Sequence, residues 1–146
     1  MLHAFDSVPR HLFVPEAVQH RAYEDVALPL GHGQTISRPG VHALHLQLAR
    51  LTGSEQVLEI GTGSGFQTAL LARLVQQVFS IEVVPELATL VRDRLQALEI
   101  DNVELQMVTE AWDGKSALRS TRSSSGRQPR PSPSLSETNW RTEDGC

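Results

Sequence analysis

The 146-residue sequence has a single cysteine, Cys146, which is its last residue. That excludes a disulfide framework and a thiolate metal cluster, and it suits a reducing cytoplasm. Positive charge is also scarce. Thirteen Lys and Arg stand against 17 Asp and Glu, for a formal net charge of −4, and nothing makes a basic patch of the size a nucleic acid needs. Long apolar runs are missing too. None approaches a membrane span, and Met1–Asp6 has neither the basic start nor the apolar run of a secretory leader. We therefore expect a cytoplasmic protein with no nucleic-acid or membrane partner. Length limits the chain to one domain, and its composition is uneven. Residues 1–108 hold 7 Lys/Arg and 12 Asp/Glu, against 6 and 5 in residues 109–146, where apolar residues thin out.

What is present is organised around Val57-Leu58-Glu59-Ile60-Gly61-Thr62-Gly63-Ser64-Gly65-Phe66. The apolar run Val57, Leu58, Ile60 reads as a buried parallel strand, and the helix Gln67–Leu74 follows the glycines. Without Cβ atoms, Gly61, Gly63 and Gly65 let the backbone turn sharply and let a ligand lie against it, with the free N–H groups of the helix aimed at that ligand. The third glycine of the dinucleotide fingerprint would fall one residue after Gly65. Glu59, near the strand end, would repel a pyrophosphate yet could pair with an ammonium or sulfonium group. Both points favour S-adenosylmethionine over NAD. A glycine-rich turn with no ligand is the plainer alternative.

Before this unit, Ser7–Glu16 carries Pro9 and Pro15 and should be an ordered, non-helical strap anchored by Leu12, Phe13 and Val14, with a short helix opening at Pro15. Ala22–Pro39 is too rich in Gly and Pro for a regular element and reads as a long connecting loop, whose length itself suggests function. Its Thr35 and Ser37 hydroxyls could serve a ligand, although capping the next helix is the simpler job. That helix covers Gly40–Leu51, with a stripe of Val41, Leu44, Leu48 and Leu51, and ends at Gly53. His42 and His45 lie three apart on it, but two imidazoles without a third ligand make a poor metal site, and we expect no metal.

After the turn, Val78–Glu82 is a second strand ending in a carboxylate 21 residues beyond Gly61, where an acid can accept hydrogen bonds from a ribose diol. Pro85 then starts an amphipathic helix over Glu86–Leu98, with Leu87, Leu90, Val91, Leu95 and Leu98 toward the sheet and Arg92, Asp93, Arg94 and Gln96 outward. Val103–Val108 is a third strand. Two right-handed crossovers put the strands in the order 3-2-1, half of a doubly wound α/β sheet. From Thr109 the periodicity vanishes into a Ser-, Pro- and Arg-rich stretch, expected to be a disordered, low-complexity tail over 109–146.

Three segments of residues 4–108 resemble the protein-L-isoaspartate (D-aspartate) O-methyltransferase family: Val8-Pro9-Arg10-His11-Leu12-Phe13-Val14-Pro15-Glu16, Ala22–Asp25 with Gly33–Pro39, and Val57–Gly65. The last is common to many S-adenosylmethionine-dependent enzymes, whereas the first two are specific to this family. The resemblance implies a Rossmann-like methyltransferase domain over 1–108, with a substrate-side region 1–39 and a cofactor-binding region 40–108. It implies methyl transfer from S-adenosylmethionine to L-isoaspartyl or D-aspartyl carboxylates of damaged proteins, which are then the partners. Such a carboxylate is ionised at neutral pH, so catalysis is mainly positioning. By likeness Ser37 matches the active-site serine. Gln34, Thr35, Ile36 and His42 fall near the cofactor, Glu59, Gly61, Thr62 and Gly63 in its turn, and Glu82 at its ribose. Beyond Val108 the family's Gly-Asp-Gly and Gly-Trp segments are replaced by Thr109-Glu110-Ala111, and the N-terminus begins inside the family's first helix. Residues 111–125 can be back-translated so that a two-base shift reads Leu-Gly-Trp-Gln-Glu-Arg-Ala-Pro-Phe-Asp-Ala-Ile-Ile-Val, a family-like continuation. The resulting expectation is a truncated methyltransferase with a frameshifted end and little activity of its own. The alternatives are a nucleotide-cofactor enzyme such as an NAD-dependent dehydrogenase, and a non-enzymatic fragment whose tail binds a partner.

Overall fold

A computed structural model describes residues 2–108; the disordered tail and the frame shift expected over 109–146 lie outside the described residues. Three parallel strands, β3 (Gln56–Ile60), β4 (Gln77–Glu82) and β5 (Val103–Met107), form a sheet in the order β3-β4-β5. This is the expected 3-2-1 arrangement. The register aligns Val57, Val78 and Val103 across the sheet, then Glu59, Ser80 and Leu105 two residues on, which places both rows on one face. The crossovers are α3 (Phe66–Ala72) and α4 (Pro85–Ala97). In α3 every residue except Gln67 is buried. A helix apolar on all sides must be covered on all sides, and the N-terminal third of the chain supplies that cover.

That third consists of α1 (Leu2–Ser7), two 3-10 turns (Arg10–Phe13 and Glu16–Arg21), the hairpin β1 (Leu28–Gly31) and β2 (Gln34–Ile36), and α2 (Pro39–Ala49). Phe66 is its anchor, with the rings of Phe5, Phe13 and His42 packed edge-on at centroid distances of 6.1, 5.5 and 5.2 Å. Arg10 is only 2% exposed. Its guanidinium lies 5.0 Å from the Phe66 centroid, Nε donates to the Ala22 carbonyl at 2.7 Å, and a terminal nitrogen donates to the Ser37 carbonyl at 2.8 Å. One buried cation thus ties three stretches of backbone together.

Several expectations change here. The strap after Pro9, expected to be non-helical, closes a 3-10 turn over Arg10–Phe13, which the fixed φ of proline permits at its start. Phe13 and Val14 are buried as anchors, whereas Leu12 is 42% exposed. The stretch read as a loop contains an antiparallel hairpin in which Leu28, Leu30 and Ile36 face inward. Pro29 is tolerated because a two-stranded sheet leaves one side of each strand unpaired, and Gly31, His32 and Gly33, all at positive φ, make the turn. In α2 the stripe is displaced. Leu44 and Leu48 are more than half exposed, and the buried residues are His42 and Leu46. The helix ends at Arg50 in the left-handed conformation, before Gly53. On α4, Leu90 is 45% exposed, while Arg94 turns inward, donating to the Ser64 carbonyl at 3.0 Å with its guanidinium 5.9 Å from the Phe13 ring.

Candidate cofactor site

The β3 ladder does not stop at Ile60, for the N–H groups of Gly61 and Thr62 both donate to the Ile81 carbonyl at 2.9 and 3.2 Å. The turn is thereby fixed against β4. Gly61 and Gly63 have φ of 90° and 56°, and the space where a Cβ would stand is open at both. Gly65 differs: at φ 83°, an added Cβ would lie 2.7 Å from a Val91 methyl. Its missing side chain lets α4 approach the start of α3, while the other two leave room beside the turn.

Two carboxylates hold this turn from below. Glu82, at the end of β4, is 4% exposed. One oxygen accepts the Gly63 N–H at 2.7 Å and the other accepts those of Val83 and Val84 at 2.8 and 3.0 Å. The oxygen that holds Gly63 keeps acceptor capacity for a further donor, since an ionised carboxyl offers about four lone-pair sites and three are taken. Glu59 is buried as well, and Oε2 accepts from the Thr68 and Ser80 hydroxyls at 2.5 and 2.7 Å. Ser80 is itself 2.6 Å from the Thr62 hydroxyl. Burial pushes the Glu59 carboxyl up to about 7, the nearby Glu82 charge acting in the same sense and the two hydroxyls against it. The sequence suggested a free counter-charge for a cationic ligand. The structure shows a carboxyl engaged in joining β3, β4 and α3.

Above the turn lies a cleft of about 260 Å³. The hairpin and its exit contribute Gln34, Thr35, Ile36 and Ser37, α2 contributes His42, and the turn and β4 contribute Glu59, Gly61, Thr62, Gly63 and Glu82. All ten residues singled out from the sequence line this one space. His45, Ile60, Ser64, Gln67 and Val83 line it too and were not singled out for it; only the contact between two helices brings His45 and Gln67 there. The capping role considered for Thr35 and Ser37 is not taken. Arg38 is the N-cap of α2 and makes no side-chain cap, while the Gly40 N–H is bound by an Asp25 carboxylate oxygen at 2.8 Å. His42 is 7% exposed, and its Nδ1 lies 3.0 Å from the Gln67 carboxamide oxygen. Its Nε2 is buried without a partner. Burial lowers the His42 pKa to about 4. Among the described residues no group of three or more His, Cys, Asp or Glu is arranged to hold a metal ion.

A parallel sheet whose first strand leads through a glycine turn into a helix, with an acid at the tip of the second strand, defines the Rossmann-like class of nucleotide-cofactor-binding folds. The family model described as Protein-L-isoaspartate(D-aspartate) O-methyltransferase (PCMT) matches residues 1–118. The chain belongs to this family. It is 51% identical over 107 residues to a protein-L-isoaspartate O-methyltransferase of Picosynechococcus sp., covering 73% of this chain and 48% of that protein. It is 49% identical over 119 residues to one of Pseudomonas aeruginosa, covering 81% and 56%. A solved protein-L-isoaspartate O-methyltransferase superposes with a TM-score of 0.67 at 28% identity, covering 73% of this chain and 36% of that one. The chain spans about half the length of the curated relatives it matches.

Proposed function

We propose that residues 1–108 form the cofactor-binding half of a protein-L-isoaspartate O-methyltransferase acting on isoaspartyl or D-aspartyl carboxylates of damaged proteins. The observation that carries this reading is the convergence of the hairpin exit, with Ser37, and the glycine turn, with Glu82, on one cleft. The cleft fits S-adenosylmethionine: open space flanks Gly61 and Gly63, and a buried ring nitrogen of His42 lacks a hydrogen-bond partner. When bound, that cofactor supplies a methyl group on a sulfonium centre, ready for transfer. Glu82 holds the turn through Gly63 and accepts from ribose hydroxyls. Glu59, tied to Thr68 and Ser80, keeps the strand end in register with the helix. Ser37 donates its hydroxyl to the substrate carboxylate, and Arg10, bonded to the Ser37 carbonyl, fixes that segment. No side chain needs to remove a proton, because the nucleophile is already an anion. The chain's work is to align two reactants and keep water away. We place this activity in the cytoplasm; among the described residues no helix is long and apolar enough to cross a membrane.

Joining residues 1–108 to the remaining length of the Pseudomonas aeruginosa relative tests the proposal. The chimera should methylate an L-isoaspartyl peptide and not its aspartyl counterpart, and Ser37→Ala should lower that rate by more than it lowers S-adenosylhomocysteine affinity. Equal methylation of the two peptides, or equal losses in the variant, would contradict the assignment.

A further inference from the structure

Gln67 is the one residue of α3 that is not buried, and it meets α2 rather than the sheet. Its carboxamide oxygen lies 3.0 Å from His42 Nδ1 and 3.5 Å from His45 Nδ1. A carboxamide oxygen can only accept, so the ring nitrogen facing it must carry the proton. With the His42 proton on Nδ1, Nε2 is left as a bare lone pair, and that atom is buried with no partner. The Ser37 carbonyl also lies near the ring and, like Gln67, favours its protonation, but it makes no hydrogen bond to Nε2. Burial, followed by the Arg10 and His45 charges, outweighs both and keeps the imidazole neutral at neutral pH. A neutral ring with a buried, unused lone pair is a weak base but a directional acceptor, and it stays costly until a donor arrives.

We propose that Gln67 is a positioning residue that holds His42 in its Nδ1–H tautomer, so that Nε2 accepts a hydrogen bond from an N–H or O–H donor of the ligand in the cleft. The ligand's identity rests on the function proposed above: an adenosyl amino acid carries such donors on its ammonium, its ribose and its adenine. The role of Gln67 in the free protein does not depend on it. Replacing the amide by an alkyl group would remove the acceptor that faces Nδ1 and favours the Nδ1–H tautomer.

Long-range ¹H–¹⁵N spectra of the labelled 146-residue chain decide the matter. In the free protein His42 should show a protonated Nδ1 and a bare Nε2. S-adenosylhomocysteine should move Nε2 toward a hydrogen-bonded shift. If adenosine does the same, the donor is on the nucleoside; if only S-adenosylhomocysteine does, it is the ammonium. Gln67→Leu should mix the tautomers and weaken S-adenosylhomocysteine roughly fivefold, the worth of one ordinary hydrogen bond. Gln67→Glu, whose carboxylate also only accepts, should keep the Nδ1–H form, and it serves as the test if the leucine variant does not fold. A protonated Nε2 in the free protein overturns the proposal. So does a ligand that shifts the Gly61 and Gly63 amides and leaves Nε2 unmoved. A ligand that disturbs neither the glycine amides nor His42 overturns the proposed function and the ligand half of this inference, and the free-protein tautomer still decides the role of Gln67.

Discussion

Two buried groups in the cleft titrate in opposite senses, and their opposition should be measurable. Glu59 is raised from 4.5 to about 7 by burial. Between those values the folded protein holds a proton that the unfolded chain has released, so stability falls as pH rises through the window. His42 is lowered from 6.5 to about 4. Here the unfolded chain holds the extra proton, and stability rises with pH from 4 to 6.5. Each effect amounts to about 3 kcal/mol at about 1.4 kcal/mol per pKa unit, and over the shared range they cancel. Glu59→Gln keeps an acceptor for Thr68 and Ser80 while removing the titration. Its stability relative to the parent should therefore increase by about 3 kcal/mol between pH 4.5 and pH 7.5, as denaturant melts at the two pH values would show. No change in the difference would mean that Glu59 is ionised in the fold at its ordinary pKa. The motifs brought Glu59, Glu82 and Ser37 to notice because carboxylates at strand tips and a hydroxyl in a distinctive loop stand out in a sequence. They could not reveal that Glu59 is bound by two hydroxyls 9 and 21 residues away, or that Gln67 faces His42. Those contacts depend on how far each helix is rotated about its axis, and near-uniform apolarity leaves that rotation undetermined.

At the level of elements, the parallel strands and α4 were legible because β-branched runs and a proline at the helix start restrict the backbone locally. The hairpin was not. Leu28, Leu30 and Ile36 alternate as a strand should, but Pro29, Gly31 and Gly33 carry the usual marks of irregular chain, and pairing between two short edges outweighs them. Helix α2 misled in another way. Val41, Ala43, Leu44, Leu46, Leu48 and Ala49 spread around its circumference, so no single stripe identifies the packed face, which is set by the contacts of His42 with Phe66 and Gln67. The contact between α3 and α4 gives a sharper test. Gly65→Ala combines a positive φ with a Cβ 2.7 Å from Val91, and should cost about 2–5 kcal/mol in urea unfolding. Adding Val91→Ala relieves the clash but not the φ strain, so the double variant should recover part of that loss. A Gly65→Ala protein as stable as its parent would show that α3 and α4 are not packed this closely.

For the whole molecule, the consequence of strand order is functional. Ligands of doubly wound sheets sit at the switch point, beside the first strand, where the chain reverses direction across the sheet. Here that strand is β3, and among the described residues it has β4 on one side and no strand on the other. Ile60 at its tip is 55% exposed. The glycine turn, Glu82 and the hairpin form one side of a cofactor site, and we expect the 146-residue chain to turn over an isoaspartyl peptide far more slowly than the chimera while still recognising the cofactor's adenosyl portion. Comparable rates, measured on monodisperse preparations of both, would remove the significance attached to strand order. The strand order was readable from the sequence because right-handed crossovers leave few alternatives. The cover that the N-terminal third gives α3 was not, since it is built from scattered aromatic contacts without a period.

The central claim is that the cleft recognises an adenosyl amino acid through the glycine turn and Glu82. Calorimetric titration of the 146-residue chain with S-adenosylhomocysteine and, separately, with NAD addresses it most directly. We predict one S-adenosylhomocysteine site per chain, no saturable NAD binding, and a loss of roughly 1–3 kcal/mol in S-adenosylhomocysteine affinity on Glu82→Ala, for a charged acceptor removed. Saturable binding of NAD in place of S-adenosylhomocysteine, or S-adenosylhomocysteine affinity unchanged by Glu82→Ala, would contradict the account.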